Sequence, residues 1–240
     1  MNNISDSVEK KLTQNCVLIG GKFAKDPIFS IAKNNREYCS FSIVWHPGKA
    51  DASFFNVICW DKKINEKLRN EKKGNELTVV GPLIQNRWTD DEGQNRQSVN
   101  ICVEHVDTAQ ISQDFKPSDF NSVVITGKIN SKSEYKNEKG LKSTDTSIAN
   151  LSASENKDNP YSYFHLASYG VTADYLNRMS SGDFIRAVGK LKQDRWVSEG
   201  QEKSSVKIIG EYIDCLSRGQ ETELSQKQNK KIENTNELGR

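Results

Sequence analysis

The sequence predicts an all-β chain built as two tandem five-stranded barrels, each carrying one short helix. Three observations predict it. The chain repeats itself in four ordered blocks, its apolar residues alternate with the period of a strand, and its hydrophobic content suits two small cores better than one large one. The 240 residues leave room for two domains of about 100 residues each. A hydrophobic fraction of 35% is low for a single large core but adequate for two small β cores with solvated loops.

Self-comparison carries the first observation. CVLIGGKF at 16–23 returns as SVVITGKI at 122–129, and FFNVICW at 54–60 returns as YFHLASY at 163–169. KGNELTVVGPLIQNRW at 73–88 returns as SGDFIRAVGKLKQDRW at 181–196. After each Trp come a turn and a closing strand, DDEGQNRQSVNICVEHVD and SEGQEKSSVKIIGEYID. Order and spacing agree, apart from an insertion in the second copy around SASENKDNP. Two homologous domains are therefore expected at 14–111 and 121–216, joined by a short polar linker at 112–120. The stretch 217–240 is rich in Gln, Asn, Lys and Glu with almost no apolar content, and 1–13 is likewise mostly polar and charged. They cannot bury enough surface to offset chain entropy and are expected to be disordered.

Period and punctuation give each element in turn. In the first copy, 16–23 is β-rich and ends near a turn at Lys25-Asp26-Pro27. A second strand is expected at 38–45, a loop at 47–53 and a third strand at 54–60. The segment 62–70 places Ile64 and Leu68 four residues apart, which suits a short amphipathic helix. Gly74 precedes a long fourth strand to Trp88, and a Gly-containing hairpin leads to a closing strand at 97–106. Five strands with a helix between the third and fourth make the OB-fold layout.

Composition narrows the chemistry. No apolar run approaches the ~18 residues that span a membrane, and the N-terminus lacks the apolar stretch of a secretory signal; a cytoplasmic, nucleoid-associated protein without membrane contact is expected. Five cysteines without a CxxC pair read as reduced, buried thiols, with Cys16, Cys59 and Cys102 inside apolar runs. Three scattered histidines give no metal site, and no cofactor is expected. The sequence has no GxxxxGK[ST] phosphate loop and no Asp/Glu cluster shared by both repeats, so no enzyme is expected. A net charge of +2 requires any basic surface to be local.

Strand parity locates the functional candidates, because successive side chains alternate between faces. In the third strand Phe55, Val57 and Cys59 form the interior face, which leaves Phe54, Asn56, Ile58 and Trp60 outside. In the second copy Phe164 and Leu166 point in, while Tyr163, His165 and Tyr169 point out. An outward aromatic pair six residues apart in both copies is what a base-stacking platform requires. In the fourth strand of the second copy Ile185, Ala187, Gly189 and Leu191 face in, and Arg186, Val188, Lys190, Lys192 and Trp196 face out. Cations alternating along a strand that ends in Trp can track phosphates while the ring stacks on a base, at about 1–3 kcal/mol per base whatever its identity. The first copy is less basic there, and its Pro82 removes a ladder donor. Arg87 and Arg195 precede Trp88 and Trp196 in the hairpin arms. Trp45, at a strand end, has no aromatic counterpart in the second copy, where Asn150-Leu151 stands.

These blocks resemble the bacterial single-stranded DNA-binding protein family. The resemblance rests on VLIGGKFAKDP, FFNVICWDK and above all KKGNELTVVGPLIQNRWTDDEGQNR, which looks like the family's RxWTDxxGxxR arm with Arg96 as its last Arg. It covers most of 15–110, and the repeat brings in the second copy. It implies an OB fold that wraps single-stranded DNA on surface aromatics, with Trp45, Phe54, Trp60 and Trp88 at the family's stacking positions. It also implies four OB folds per assembly, which a homodimer of this chain supplies. The family's acidic tail with a hydrophobic tip, which recruits replication and repair enzymes, is not matched: this chain mixes Lys and Glu and closes on Glu237-Leu238-Gly239-Arg240. The expected function is non-catalytic, sequence-tolerant binding and protection of single-stranded DNA in replication, recombination or repair. The alternative is an OB-type protein-interaction module whose outer face binds a partner. Stacking does not separate RNA from DNA, which takes contacts to the 2′-OH.

Overall fold

A computed structural model describes residues 6–48, 51–108, 116–136, 140–151, 160–198 and 200–219. The expectations for 1–5, for 220–240 and for most of the insertion in the second repeat lie outside the described residues. After a helix α1 (Asp6–Leu12), the first unit comprises β1 (Asn15–Phe23), β2 (Ile28–Ile31), β3 (Glu37–Trp45), β4 (Ser53–Cys59), α2 (Lys62–Leu68), β5 (Glu76–Gly81), β6 (Leu83–Thr89), β7 (Asn95–Cys102) and β8 (His105–Asp107). A 3-10 turn at Pro117–Asp119 leads into the second unit, β9 (Asn121–Lys136), β10 (Lys142–Asn150), β11 (Ser162–Tyr169), α3 (Gly170–Asn177), β12 (Phe184–Ser198) and β13 (Gln201–Ser217).

Each unit is an OB-type barrel. β1 pairs with β3 at one end and with β5 along its length, β3 with β4, and β6 with β7, all antiparallel. A parallel pairing of β4 with β7 closes the first barrel, and β11 with β13 closes the second in the same way. The interior follows strand parity. Phe55, Val57 and Cys59 are buried, as are Phe164 and Leu166, and Ile185, Ala187 and Leu191. Helix α2 starts where the Asp61 side chain accepts the Ile64 N–H at 2.9 Å, an N-cap that fixes its first turn. It buries Leu68 against the core. In both repeats the fourth strand crosses the fifth very closely. A Cβ on Gly81 would lie 1.8 Å from the Cys102 carbonyl oxygen, and one on the equivalent Gly189 would lie 1.9 Å from that of Ile209.

The two units share one continuous sheet, because β1 pairs antiparallel with β9. The register sets Val17 opposite Val123, and these two residues hold the same position in the two repeats. A pseudo-two-fold axis therefore passes between them, and the contact is the isologous kind found in symmetric dimers. Both valines are fully buried, and the apolar interiors of the two barrels form one contiguous cluster. The flanks obey the same symmetry. Gly20 N–H donates to the Phe120 carbonyl and Thr126 N–H to that of Gln14, both at 2.9 Å, so the segment preceding each unit's first strand docks on the first strand of the other.

Equivalent asparagines hold each first strand to its own fourth strand. Asn15 donates its amide N–H to the Leu83 carbonyl at 2.8 Å and accepts the Leu83 N–H at 2.9 Å. Asn121 does the same with Leu191, at 2.9 and 2.8 Å. These side chains stand in for backbone partners where the ladder between the first and fourth strands would otherwise continue.

Four sequence expectations are corrected. Residues 6–12, expected to lack structure, form α1, which is anchored by a 2.6 Å ion pair between buried Glu9 and Lys128. The last residues of the expected linker, 116–120, are docked on β1 instead of hanging free, because Gly20 has no side chain to exclude Pro117. The long fourth strand of the first unit is broken into β5 and β6 at Pro82, which cannot donate to the ladder, whereas β12 runs unbroken through the equivalent Lys190. Cys16 is exposed and Cys102 only half-buried, since both lie on outward parity; Cys39 and Cys59 are buried, and desolvation pushes their thiols up to about 12 and about 11.

Asn121→Ala leaves a buried N–H and a buried carbonyl of Leu191 without partners. It is expected to destabilise the protein by about 2–3 kcal/mol in urea unfolding, and Asn15→Ala, at a half-buried position, by less.

Candidate nucleic-acid interface

The candidate surface comprises the outward faces of the third strands and the two hairpin arms, β6–β7 and β12–β13. Phe54 on β4 is exposed, and Trp60, one residue past the end of that strand, is half-buried; six residues of extended chain separate them by about 20 Å. Trp60 packs on Tyr38, with ring centroids 4.9 Å apart, and the Arg36 guanidinium lies over the indole at 5.4 Å. Tyr38 thereby joins the candidate surface, and the sequence reading missed it. The signal was present: it shares outward parity with Ser40, Ser42 and Val44, and in register it falls beside Trp60. On β11, Tyr163 is half-buried, while His165 and Tyr169 are exposed. Tyr135 extends this face. It lies opposite Ser143, which in turn faces Tyr169, and it is exposed.

The arms repeat one arrangement. Trp88 is 49% and Trp196 46% exposed. Each has a cation directly across its hairpin, Arg96 opposite Trp88 and Lys203 opposite Trp196. A shallow groove of ≈420 Å³ surrounds the first tryptophan, bounded by Arg87 and Arg96, and one of ≈360 Å³ surrounds the second, bounded by Arg195 and Lys203. Lys203 was not read from the sequence, although the shared Glu-Gly-Gln of the two turns sets it in the place of Arg96. Arg96 is committed to the turn: its Nε donates to Asp90 Oδ2 at 2.7 Å, while Asp90 Oδ1 accepts the N–H groups of Glu92 and Gln94. The Arg96 hydrogen bond, then the Gln94 N–H, hold the Asp90 carboxyl below its ordinary range.

Each arm reaches across the pseudo-dyad onto the other unit. Arg87 lies over the Tyr163 ring at 5.3 Å, and the equivalent Arg195 over Phe54 at 4.9 Å, within reach of a cation–π attraction. The guanidiniums are held by the side-chain oxygens of Gln85 (2.7 Å) and Gln193 (2.9 Å). Those same oxygens accept the backbone N–H of Tyr163 and Phe54, each at 3.1 Å. Gln85 and Gln193 also escaped the sequence reading, although the Gln two residues before Arg-Trp is identical in both repeats. Trp45 is half-buried and its indole N–H donates to the Ser118 carbonyl at 2.8 Å. Its counterpart Asn150 is fully buried, donating to the carbonyls of Thr126 (2.7 Å) and Gln14 (3.1 Å).

The row of cations on β12 is partly engaged. Arg186 is paired with Asp214, its Nε at 2.9 Å, and lies near the start of β12, opposite Thr126 and away from the arm. Lys190 pairs with Glu211 at 2.8 Å, and Lys192 is exposed and makes no ion pair among the described residues. Among the described residues, no group of three or more His, Cys, Asp or Glu side chains is placed to hold a metal, and no helix is long and apolar enough to cross a membrane.

The protein is a tandem pair of OB-type barrels with symmetric aromatic and cationic arms. The model of the Single-strand binding protein family matches residues 14–109 and again 120–216; the chain belongs to that family. It is 31% identical over 71 residues to the single-stranded DNA-binding protein of Aquifex aeolicus (strain VF5), a match covering 29% of this chain and 48% of that protein. The chain thus spans about half the length of that relative. The crystal structure of the single-stranded DNA-binding protein from Thermus aquaticus superposes with a TM-score of 0.68 at 14% identity, covering 88% of this chain and 96% of that one. A deletion mutant of the same Thermus protein gives 0.66 at 13% identity with the same coverage.

The Asp90–Arg96 pair predicts a pH response of the first arm. Asp90 has a lowered pKa in the folded arm, so its contribution to order is present above the unfolded carboxylate value and is lost as pH falls through the folded value. Arg96→Ala is expected to move the Asp90 carboxyl titration, followed by NMR, upward toward its ordinary value; an unmoved titration contradicts the pairing.

Proposed function

We propose that the protein binds and protects single-stranded DNA, without catalysis and with little regard to sequence, in replication, recombination or repair within the cytoplasm and nucleoid. The functional units are the two OB folds at 14–111 and 121–216. The observation that carries this reading is the pair of symmetric arms, each with an exposed tryptophan opposite a cation. A base stacks on the ring while a cation beside it takes a phosphate, Arg87 in the first arm, where Arg96 is already paired with Asp90, and Arg195 or Lys203 in the second. Phe54, Trp60, Tyr163 and Tyr169 continue the stacking surface around each barrel, and Trp45 adds a ring at the boundary between the units. Arg87, Arg195 and Lys192 supply charge along the path, and Lys190 and Arg186 contribute more weakly because Glu211 and Asp214 already neutralise them.

We also propose a homodimer of four OB folds. Val188, Val124, Leu18 and Val80 lie side by side on adjacent strands of the outer sheet face, with Val188 beside Val124 and Leu18 beside Val80 in register. They are related in pairs by the pseudo-dyad, and exposed Cys16 lies between the pairs, opposite Val124. A face that carries its own two-fold can meet a second copy of itself in a closed assembly.

Two measurements test these readings. Anisotropy of labelled oligo(dT) against salt is expected to give a log K that falls with log salt at about −0.7 per phosphate contact. Trp88→Ala and Trp196→Ala are each expected to weaken binding by about 1–3 kcal/mol. Unchanged affinity in the double variant, or binding indifferent to salt, moves the reading to a protein-interaction module. In light scattering the wild type is expected to be a dimer, and Val124→Asp with Val188→Asp a monomer.

A further inference from the structure

The frame is symmetric but its sites are not. A groove of ≈990 Å³ runs between the loop after β3 in the first unit and β12 in the second, lined by Trp45 from one side and by Lys190, Lys192, Arg195 and Trp196 from the other. It shares Arg195 and Trp196 with the arm groove that leads on to Lys203, so the two are continuous. Among the described residues, the symmetric position across the pseudo-dyad has a different lining. There Asn150 replaces Trp45 and is buried under its own hydrogen bonds, and Pro82 and Ile84 replace Lys190 and Lys192. Two carboxylates also border the large groove, Asp51 and Asp194. Asp194 is neutralised by an ion pair with Lys207, and Lys190 is matched by Glu211, which leaves Lys192 and Arg195 against Asp51.

We propose that this cross-unit groove is the principal single-strand track, a composite site in which one segment of polynucleotide stacks on Trp45 of the first unit and Trp196 of the second. The proposal rests on the single-strand-binding reading and gives it a direction: a short strand occupies this groove first, and the Trp88 arm engages only when the strand is long enough to continue around the first barrel. Trp45 is suited to the role because the hydrogen bond from its indole to Ser118 fixes the ring before any ligand arrives, so little side-chain entropy is lost on stacking. Arg195 is poised at the crossing. Its guanidinium already spans from the second unit to Phe54 of the first, and its Nη2 lies 3.3 Å from the Ala52 carbonyl.

The test uses the full chain and an oligo(dT) of about eight nucleotides, a length within the ~4–16 an OB fold occupies, beside a much longer one. For the short strand, Trp45→Ala and Trp196→Ala are each expected to lower affinity by about fivefold or more, and Trp88→Ala by a smaller factor. For the long strand the three losses converge. Lys192→Ile, which copies the residue of the opposite side, is expected to reduce the short-strand salt slope by about 0.7. Trp45→Phe keeps a ring without the Ser118 bond and guards against misfolding of the alanine variant; it is expected to bind better than Trp45→Ala. Equal short-strand losses at Trp88 and Trp196, or no loss at Trp45 in either variant, overturn the composite track while leaving single-strand binding intact. Failure of the wild type to bind either strand overturns both.

Discussion

Everything distinctive in this molecule depends on the antiparallel pairing of β1 with β9 about Val17 and Val123. Each OB barrel closes on itself, so the two could have been held only by a linker. Instead the first strands use their free N-terminal edges on each other, and the self-equivalent register generates a two-fold within one chain. Burying that edge removes a strand that would otherwise template aggregation. It also brings each hairpin arm to the other unit's third strand. The Gln85–Tyr163 and Gln193–Phe54 contacts and the arginines above those rings follow from the same geometry. The asparagines at 15 and 121 free the strands for this use, since their side-chain amides meet backbone groups that a neighbouring strand would normally satisfy.

Duplication within one chain permits the halves to diverge while the frame stays symmetric. The first unit has a fourth strand broken at Pro82, a helix anchored by an Asp61 cap, and a tryptophan at the end of β3. The second has an unbroken β12 with a row of cations, and a long β9–β10 ribbon carrying Tyr135. Neither half carries the full set of aromatic and basic groups on its own fourth strand. The boundary between them does, and this gives the cross-unit groove its mixed lining.

Much of this was legible in the sequence, and the limits of that legibility have physical reasons. Strand parity correctly separated Phe55, Val57 and Cys59 from Phe54 and Trp60, because a half-buried strand must alternate. The repeat itself exposed the duplication and placed Trp88 and Trp196 at equivalent sites. The β1–β9 pairing was not visible, since a strand's period states which face is buried and says nothing about which strand lies at its edge. The cross-unit contacts of Arg87 and Arg195 were hidden for the same reason, as was the fixing of Trp45 by Ser118. Helix α1 escaped because what fixes it in place is a tertiary contact, Glu9 with Lys128 of the second unit, which local sequence does not reveal. Cys16 is exposed although it sits in an apolar run, because alternate residues of a strand face opposite sides.

The most direct test of the central claim is the intrinsic tryptophan emission of the intact protein during titration with oligo(dT), set against a duplex of equal length. All four tryptophans lie on the surfaces assigned to stacking. Strong quenching by the single strand, with little by the duplex, is the predicted result. Unchanged emission with both ligands, or equal quenching by both, would contradict the account.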